Sequence, residues 1–131
     1  MILVDTSALI AVLQKEPDHL LYAAAMDEAD RRIISAMTVY EASIVMLGKG
    51  GAAGVDALRR LLTTVGAEIV PFTDADAVLA TAAYAQFGKG RQNKASLNIC
   101  DCTAYALAEA RGLPLLFKGG DFAATDIASS I

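Results

Sequence analysis

Short apolar runs recur along the chain between longer stretches of mixed polarity. Residues 1–4 form a continuous apolar run that ends at Asp5. A continuous run of this length is typical of a strand that is covered on both faces, as in a parallel sheet. We predict three further short strands, at residues 32–34, 68–70 and 115–117.

The stretches between these strands have the apolar spacing of helices. The predicted helices are residues 6–13, 18–30, 36–47, a fourth helix to about residue 65, 73–87 and 99–111. Ser35 is a predicted N-cap, and Thr73 with Asp76 resembles a capping box. We expect loops at the glycines of residues 48–51 and across the polar, basic residues 88–98. The alternation predicts one α/β domain over residues 1–131, with a mostly parallel central sheet flanked by helices.

Composition limits where such a protein works. Hydrophobic residues make up 55% of the 131 positions and charged residues 20%, which excludes intrinsic disorder. No apolar run approaches the ~20 residues of a membrane span, and the N-terminus lacks the basic start of a signal peptide. Cys100 and Cys102 are too close along one helix to pair easily, so we expect a reducing, cytoplasmic location.

Net charge and histidine content argue against several classes of function. The net charge of −4 argues against a protein held on nucleic acid by a broad basic face. His19 is the only histidine, which argues against Ser-His-Asp and Cys-His catalysis and against Cys/His zinc sites.

Two aspartates follow predicted strands, at the edge where open α/β sheets place their active sites. Asp5 comes directly after the first strand, and Asp121 lies just past the last one. Each also has a simpler explanation as a helix N-cap, Asp5 for the helix that begins at Thr6 and Asp121 for a turn that begins at Phe122.

Two further acids lie on predicted helices. Glu41 has Ile44 and Val45 as helical neighbours, so it sits on or beside the face that should meet the core, where a carboxylate is costly without a compensating group. A rim position with the carboxylate in water is the alternative. Asp101 follows Asn98 by three residues, which is also the spacing of a capping box.

Four acids that converge at one end of a sheet would raise each other's pKa values unless a divalent cation neutralised them. Ligands that are all oxygen atoms suit Mg²⁺ or Mn²⁺. The sequence therefore predicts a metal site of this class.

Four motifs, in this order along the chain, carry a resemblance to a known family: Val4-Asp5-Thr6-Ser7-Ala8, Glu41-Ala42-Ser43, Leu97-Asn98-Ile99-Cys100-Asp101-Cys102 and Phe117-Lys118-Gly119-Gly120-Asp121-Phe122. Together they resemble the PIN-domain ribonucleases, specifically the VapC toxins of bacterial toxin–antitoxin pairs. The resemblance spans essentially the whole chain. No single motif is specific for this family, whereas the order and spacing of the four motifs are.

The resemblance implies a PIN-like three-layer fold and an acidic pocket that binds Mg²⁺ or Mn²⁺ and cleaves RNA. The catalytic and metal-binding set it implies is Asp5, Glu41, Asp101 and Asp121. Asp5 and Asp101 are the first choices as direct metal ligands, and Glu41 or Asp121 would orient or deprotonate the attacking water.

One position departs from the family pattern. Many relatives carry an aspartate where this chain has Gly119. A branch with Phe-Lys-Gly in this stretch also lacks it, so the change does not imply lost activity. It leaves open whether Asp121 or Asp126 completes the metal site.

The resemblance also implies partners, namely a transfer RNA or another structured RNA, a cognate antitoxin, and a second copy of the chain in a homodimer. We expect Lys118 and Arg91 to contact the RNA backbone. Thr6 or Ser7 would hold a metal-bound water or a carboxylate, or would simply close the turn. For Arg91 and its neighbours Lys89 and Lys94, a solvated surface loop is the alternative.

Two other functions remain open from sequence alone. A catalytically inactive PIN-like module would bind metal without cleaving RNA. A Mg²⁺-dependent phosphoacceptor domain also uses acids at strand ends, but it usually has an acidic pair after its first strand, where this chain has Asp5 followed by Thr6.

Overall fold

The structure, a computed structural model, describes residues 1–91 and 94–131. Its elements, in chain order, are β1 (Ile2–Val4), α1 (Thr6–Leu13), α2 (His19–Glu28), β2 (Arg32–Ser35), α3 (Ala36–Thr64), β3 (Glu68–Val70), α4 (Asp74–Phe87), α5 (Ile99–Arg111), β4 (Leu115–Leu116) and a 3₁₀ turn (Phe122–Ala124). The loop predicted over residues 88–98 contains residues 92 and 93, which lie outside the described residues.

The four strands form one parallel sheet in the order β3-β2-β1-β4. In its centre Leu3 is in register with Ile33 on one side and with Leu115 on the other. Leu115 also pairs with Ser129 of the C-terminal tail, which covers the outer edge of β4. The prediction of a mostly parallel sheet is confirmed.

Side chains of the central strand alternate between two hydrophobic cores. Ile2 and Val4 pack into the core shared with α1, α2 and α3, whereas Leu3 packs into the core shared with α4 and α5. Leu3 and Val4 are fully buried, and each such side chain contributes about 1.5–3 kcal/mol on folding. The two cores on opposite faces of the sheet give the predicted three-layer α/β fold.

The glycine-rich segment after residue 47 differs from the prediction of a loop. Helical structure continues through it, and only Gly51 leaves the helical region, with φ 61° and ψ −149°. A Cβ atom on Gly54 would lie 2.4 Å from the carbonyl oxygen of Met46, eight residues earlier. Eight residues of straight helix span about 12 Å, so the chain turns back sharply at Gly51.

Other element boundaries agree with the prediction to within two residues. The second helix ends at Glu28 and the last strand at Leu116. Gly112, with φ 63°, caps α5 in the left-handed conformation and directs the chain into β4. None of the helices in the described part of the chain is long and apolar enough to cross a bilayer.

Candidate active site

Asp5 lies where β1 ends and α1 begins, and only 3% of its surface is exposed. Its Oδ2 accepts hydrogen bonds from the backbone N–H of Ser7 at 2.9 Å and from the Ser7 hydroxyl at 2.6 Å. Asp5 is therefore the N-cap of α1, as the simpler explanation predicted. The cap also fixes the carboxylate in one orientation at the carboxyl end of the central strand.

The charge of Asp5 is poorly compensated. Burial raises its pKa to about 6, the bonds from Ser7 oppose this rise, and the nearby charge of Glu41 adds to it. The carboxylate thus carries an electrostatic cost in the protein alone.

Glu41 reaches the same place from α3. The Thr6 hydroxyl donates to its Oε1 at 2.5 Å, and the Cys100 thiol is a second side-chain partner. Burial raises the pKa of Glu41 in spite of these bonds, and the charge of Asp101 raises it further. The structure thus places this acid at the site and not at a solvated rim of α3.

Asp101 occupies the first turn of α5. It forms a capping box with Asn98, in which the Asn98 N–H donates to Asp101 Oδ2 at 2.9 Å and the Asp101 N–H donates to Asn98 Oδ1 at 2.7 Å. Burial raises its pKa to about 6, the bond from Asn98 opposes the rise, and the charges of Asp5 and Asp121 add to it. Capping and participation in the acidic cluster therefore coexist in this residue, as in Asp5.

The two candidates for the fourth acid have different surroundings. Asp121 is exposed at the start of the 3₁₀ turn, makes no capping bond there, and acts on Asp101 through its charge. Asp126 accepts a hydrogen bond from the Tyr105 hydroxyl. Of the two, Asp121 is the one whose charge acts on Asp101.

Gly119 has a φ of 104°, a backbone conformation that residues other than glycine rarely adopt. An aspartate at this position would be strained in the present backbone. The departure from the family pattern noted in the sequence thus coincides with a local backbone conformation that requires glycine.

The predicted basic residues lie in two different places. Lys118 borders the acidic residues, and its Nζ donates to Glu16 at 2.5 Å and to Asp18 at 2.8 Å. Arg91 lies over the ring of Tyr84, 5.8 Å from its centroid, and lines a separate pocket. Lys118 is thus next to the acids, whereas the guanidinium of Arg91 lies over a side chain of α4.

A cleft of about 380 Å³ brings most of the predicted site residues together. Those that line it are Asp5, Thr6, Ser7, Glu41, Asp101 and Lys118. Among residues 1–91 and 94–131, none of the ion pairs involves Asp5, Glu41 or Asp101, whereas Glu16, the fourth acid that lines the cleft, pairs with Lys118. Asp5, Glu41 and Asp101 therefore share a half-buried space without an ion pair of their own, because Lys118, which also lines the cleft, is paired with Glu16 and Asp18.

This donor set fits Mg²⁺ or Mn²⁺ chemically. Within the described residues no three His, Cys, Asp or Glu side chains form a ready-made metal cage. Mg²⁺ typically binds through one or two carboxylates and keeps several water ligands, so an open cluster of oxygen donors suits it. Raised pKa values of Asp5 and Asp101 are what uncompensated carboxylates show before a cation neutralises them.

Sequence reasoning missed three features of the site. Glu16 lines the cleft and pairs with Lys118, which lies 102 residues further along the chain. Cys100, for which the sequence predicted no contact with the acids, is a partner of Glu41. Ser7 connects Asp5 to Lys118. The contacts of Lys118 with Glu16 and Ser7, and of Cys100 with Glu41, have no signal in local sequence, because each joins segments that only the tertiary fold brings together.

The family model of the PIN domain matches residues 2–128. The chain belongs to the PIN-domain family. Among curated relatives, this PIN domain is similar to the ribonuclease VapC28 of Mycobacterium tuberculosis, with 43% identity over 125 residues that cover 95% of this chain and 94% of the relative. It is also 40% identical to the ribonuclease VapC30 of the same species over 96% of this chain and 95% of the relative. Within the family it is one of the VapC ribonucleases.

Solved structures share the fold of this PIN domain. VapC20 of Mycobacterium tuberculosis, described as a Sarcin-Ricin loop cleaving toxin, superposes with a TM-score of 0.81 at 16% identity, covering 98% of this chain and 97% of that one. A toxin–antitoxin complex from Klebsiella pneumoniae superposes with a TM-score of 0.74 at 21% identity, covering 100% of this chain and 98% of that one. At these identities the likeness concerns the fold alone.

Proposed function

We propose that this VapC ribonuclease is an endoribonuclease that depends on Mg²⁺ or Mn²⁺ and acts as the toxin of a toxin–antitoxin pair. The observation that carries the metal dependence is the cleft itself, in which Asp5, Glu41 and Asp101 lie together and form none of the described ion pairs, since Lys118 is paired with Glu16 and Asp18. A divalent cation would offset the burial and the mutual repulsion that raise their pKa values.

The residues of the cleft have distinct proposed roles. Asp5 and Asp101 hold the cation, which polarises a phosphate oxygen and lowers the pKa of water when it is bound. Glu41 accepts a proton from the attacking water or orients that water, because its carboxylate is fixed by Thr6 and Cys100 and keeps a raised pKa. Asp121 adds negative charge at the open side of the cluster.

Two kinds of contact would position the RNA. Lys118 uses two of its three ammonium hydrogens on Glu16 and Asp18, which leaves one to donate to a phosphate oxygen at the mouth of the cleft. Arg91 would contact a more distant phosphate. Thr6 and Ser7 act through carboxylates, since their hydroxyls donate to Glu41 and to Asp5.

The proposed substrate is a transfer RNA or another structured RNA, because the cleft is small enough to favour an unpaired, splayed strand over a duplex. The cytoplasm is then the proposed place of action. Residues 1–131 form one domain in this proposal.

A cognate antitoxin and a second copy of the chain are the proposed protein partners. Exposed apolar side chains on α3 (Tyr40, Ile44 and Leu47) share the helix that carries Glu41. An antitoxin segment packed along them could insert a basic side chain into the cleft. Val78 and Leu79, exposed on α4, offer an apolar surface to a second copy.

Cleavage of labelled structured RNA tests the proposal. We expect cleavage with Mg²⁺ or Mn²⁺, none with a chelator, and a loss of about 100-fold or more in Asp5→Asn and Asp101→Asn. Asp27→Asn, an exposed change on α2, is the matched control and should retain full activity. Cleavage by the chelated protein or by Asp5→Asn would refute the mechanism. Metal binding without cleavage would select the inactive binding module, and labelling by a small phosphodonor would select the phosphoacceptor domain.

A further inference from the structure

An ion-pair cluster joins two parts of the chain that border the cleft. Lys118 lies just after β4, whereas Glu16 and Asp18 lie in the connection between α1 and α2. All three side chains are about one-third exposed. The hydrogen bonds and charges of Asp18 and Glu16 raise the pKa of Lys118, so the lysine stays charged throughout the physiological range.

The backbone of the same lysine is connected to Asp5. The Lys118 N–H donates to Ser7 Oγ at 2.9 Å, and that hydroxyl donates to Asp5 Oδ2 at 2.6 Å. A serine hydroxyl has one hydrogen. Because the amide of Lys118 must be met by a lone pair of Oγ, the hydrogen is free to point at the carboxylate.

The segment that follows Lys118 is poorly constrained by its own sequence. Gly119 and Gly120 come next, and space around both is open. Two glycines in succession allow many backbone conformations. Before the Lys118 amide the chain is held by the Asp5 N–H, which donates to Leu116 O at 3.0 Å, and by Phe117, which packs against the core. On the glycine side, the contacts of the Lys118 side chain supply the restraint that the two glycines lack.

We propose that Glu16 and Asp18 are positioning residues of the active site, which hold Lys118 so that its backbone amide orients Ser7 and thereby fixes Asp5. The inference rests on the proposed function, because it assigns these residues to the metal-binding carboxylate. It also assigns Lys118 a structural role, the orientation of Ser7, that does not require contact with RNA.

Electrostatics and positioning predict opposite effects of removing Lys118 on cation binding. Lys118→Met deletes a positive charge next to the acids, so Coulomb forces alone would strengthen the binding of a cation. Loss of positioning would weaken it. Ser7 is the direct outer partner of Asp5, and loss of such a partner typically weakens metal binding by about 10–100-fold.

The first measurement needs no metal or RNA. We expect the backbone amides of Ser7 and Lys118 to exchange with solvent at least about threefold faster in the double variant Glu16→Gln/Asp18→Asn. The control Asp27→Asn/Glu28→Gln makes the same two chemical changes at exposed positions of α2 and should leave both rates unchanged. Equal exchange in the double variant and the wild type would overturn the inference.

The second measurement is titration with Mn²⁺ in the absence of RNA, followed by electron paramagnetic resonance of the free ion. We expect Lys118→Met to bind Mn²⁺ about threefold to tenfold more weakly and Ser7→Ala to be weaker still. Lys118→Arg, which can keep both ion pairs, should restore most of the affinity.

Equal or tighter binding of Mn²⁺ by Lys118→Met would overturn the inference even if the wild type cleaves RNA. A wild-type protein that binds no Mn²⁺ and cleaves no RNA would overturn the proposed function. The positioning role of Glu16 and Asp18 in catalysis would then fall with it. The two failures are thus distinguishable.

Discussion

At the scale of single residues, structural roles and proposed functional roles coincide in this site. Asp5 and Asp101 both cap helices, which is what a purely structural interpretation of each predicted. The capping bonds leave both carboxylates in the acidic cleft, where burial and mutual repulsion raise their pKa values. A good cap is therefore no argument against a metal ligand, since the cap provides the rigidity that a ligand needs.

Asp5→Asn should stabilise the metal-free protein. The pKa of Asp5 is raised from 3.8 to about 6, so ionisation at neutral pH opposes folding by about 3 kcal/mol. Asparagine can still accept the capping bond from Ser7. We expect the free energy of unfolding in chelator at about pH 8 to rise by about 1–3 kcal/mol.

The pH dependence provides the check on this explanation. Below pH 3.8 the carboxyl is protonated in both folded and unfolded chains, so the variant and the wild type should be similar there. As the pH rises toward 6, the wild type loses stability because ionisation is easier in the unfolded chain. A stability difference that is the same in urea titrations at acidic and alkaline pH would contradict the assignment.

Thr6→Val should shift the acidic limb of the pH–activity profile to higher pH. The substitution removes the hydroxyl that lowers the pKa of Glu41 and leaves the volume nearly unchanged. A hydrogen bond to a charged group contributes about 1.5–3 kcal/mol, so kcat/KM on the acidic limb of the profile should fall about tenfold or more. Thr6→Ser keeps the hydroxyl and should behave like the wild type. An unshifted profile in Thr6→Val would argue against Glu41 as the proton acceptor.

At the scale of elements, the sequence predicts the existence of helices and strands better than the geometry of their connections. The three glycines within residues 48–51 signal a break, and a break occurs, but it is confined to Gly51. The sharpness of the turn depends on Gly54, whose lack of a side chain lets the carbonyl of Met46 approach. Met46 and Gly54 are eight residues apart and lie on the two halves of α3. Their contact is a tertiary property that local propensity does not encode.

Two glycine-to-alanine substitutions in α3 should have opposite effects. In Gly54→Ala the new Cβ would lie 2.4 Å from a backbone oxygen, so the halves of α3 must separate, at a cost of about 1–3 kcal/mol. Gly50 is helical, and a Cβ there meets nothing within 4 Å, so Gly50→Ala should stabilise the protein by about 0.5–1 kcal/mol. Chemical denaturation measures both. Equal effects would show that the turn at Gly51 is not held by this close approach.

At the scale of the whole molecule, the convergence of the acids follows from topology. Parallel strands end at one edge of a sheet, so the residue after β1 and the segment after β4 are neighbours, as the sequence predicted. Acids on α3 and α5 join them because their helices pack on opposite faces of that sheet. The contacts of Lys118 escaped prediction because ion pairing between exposed charges has no periodicity and depends on where two connections happen to meet.

The charge distribution of the whole protein leads to a final prediction, on metal-linked stability. A ligand present at 100 times its dissociation constant stabilises the folded state by about 2.7 kcal/mol, so a saturating divalent cation should raise the melting temperature by several degrees. Protons compete for Asp5 and Asp101, both with pKa values of about 6. The shift should therefore be large at about pH 8, shrink near pH 6, and vanish near pH 5.

Thermal melts of the wild type and of Asp101→Asn, each with and without Mn²⁺, test this linkage. The variant should lose most of the shift at every pH, whereas the exposed control Asp27→Asn should retain it. A shift of equal size at pH 5 and pH 8 would place the bound cation elsewhere on this acidic protein. A shift that survives in Asp101→Asn would remove this carboxylate from the ligand set, because a half-buried ligand cannot be lost without weakening the binding of the ion.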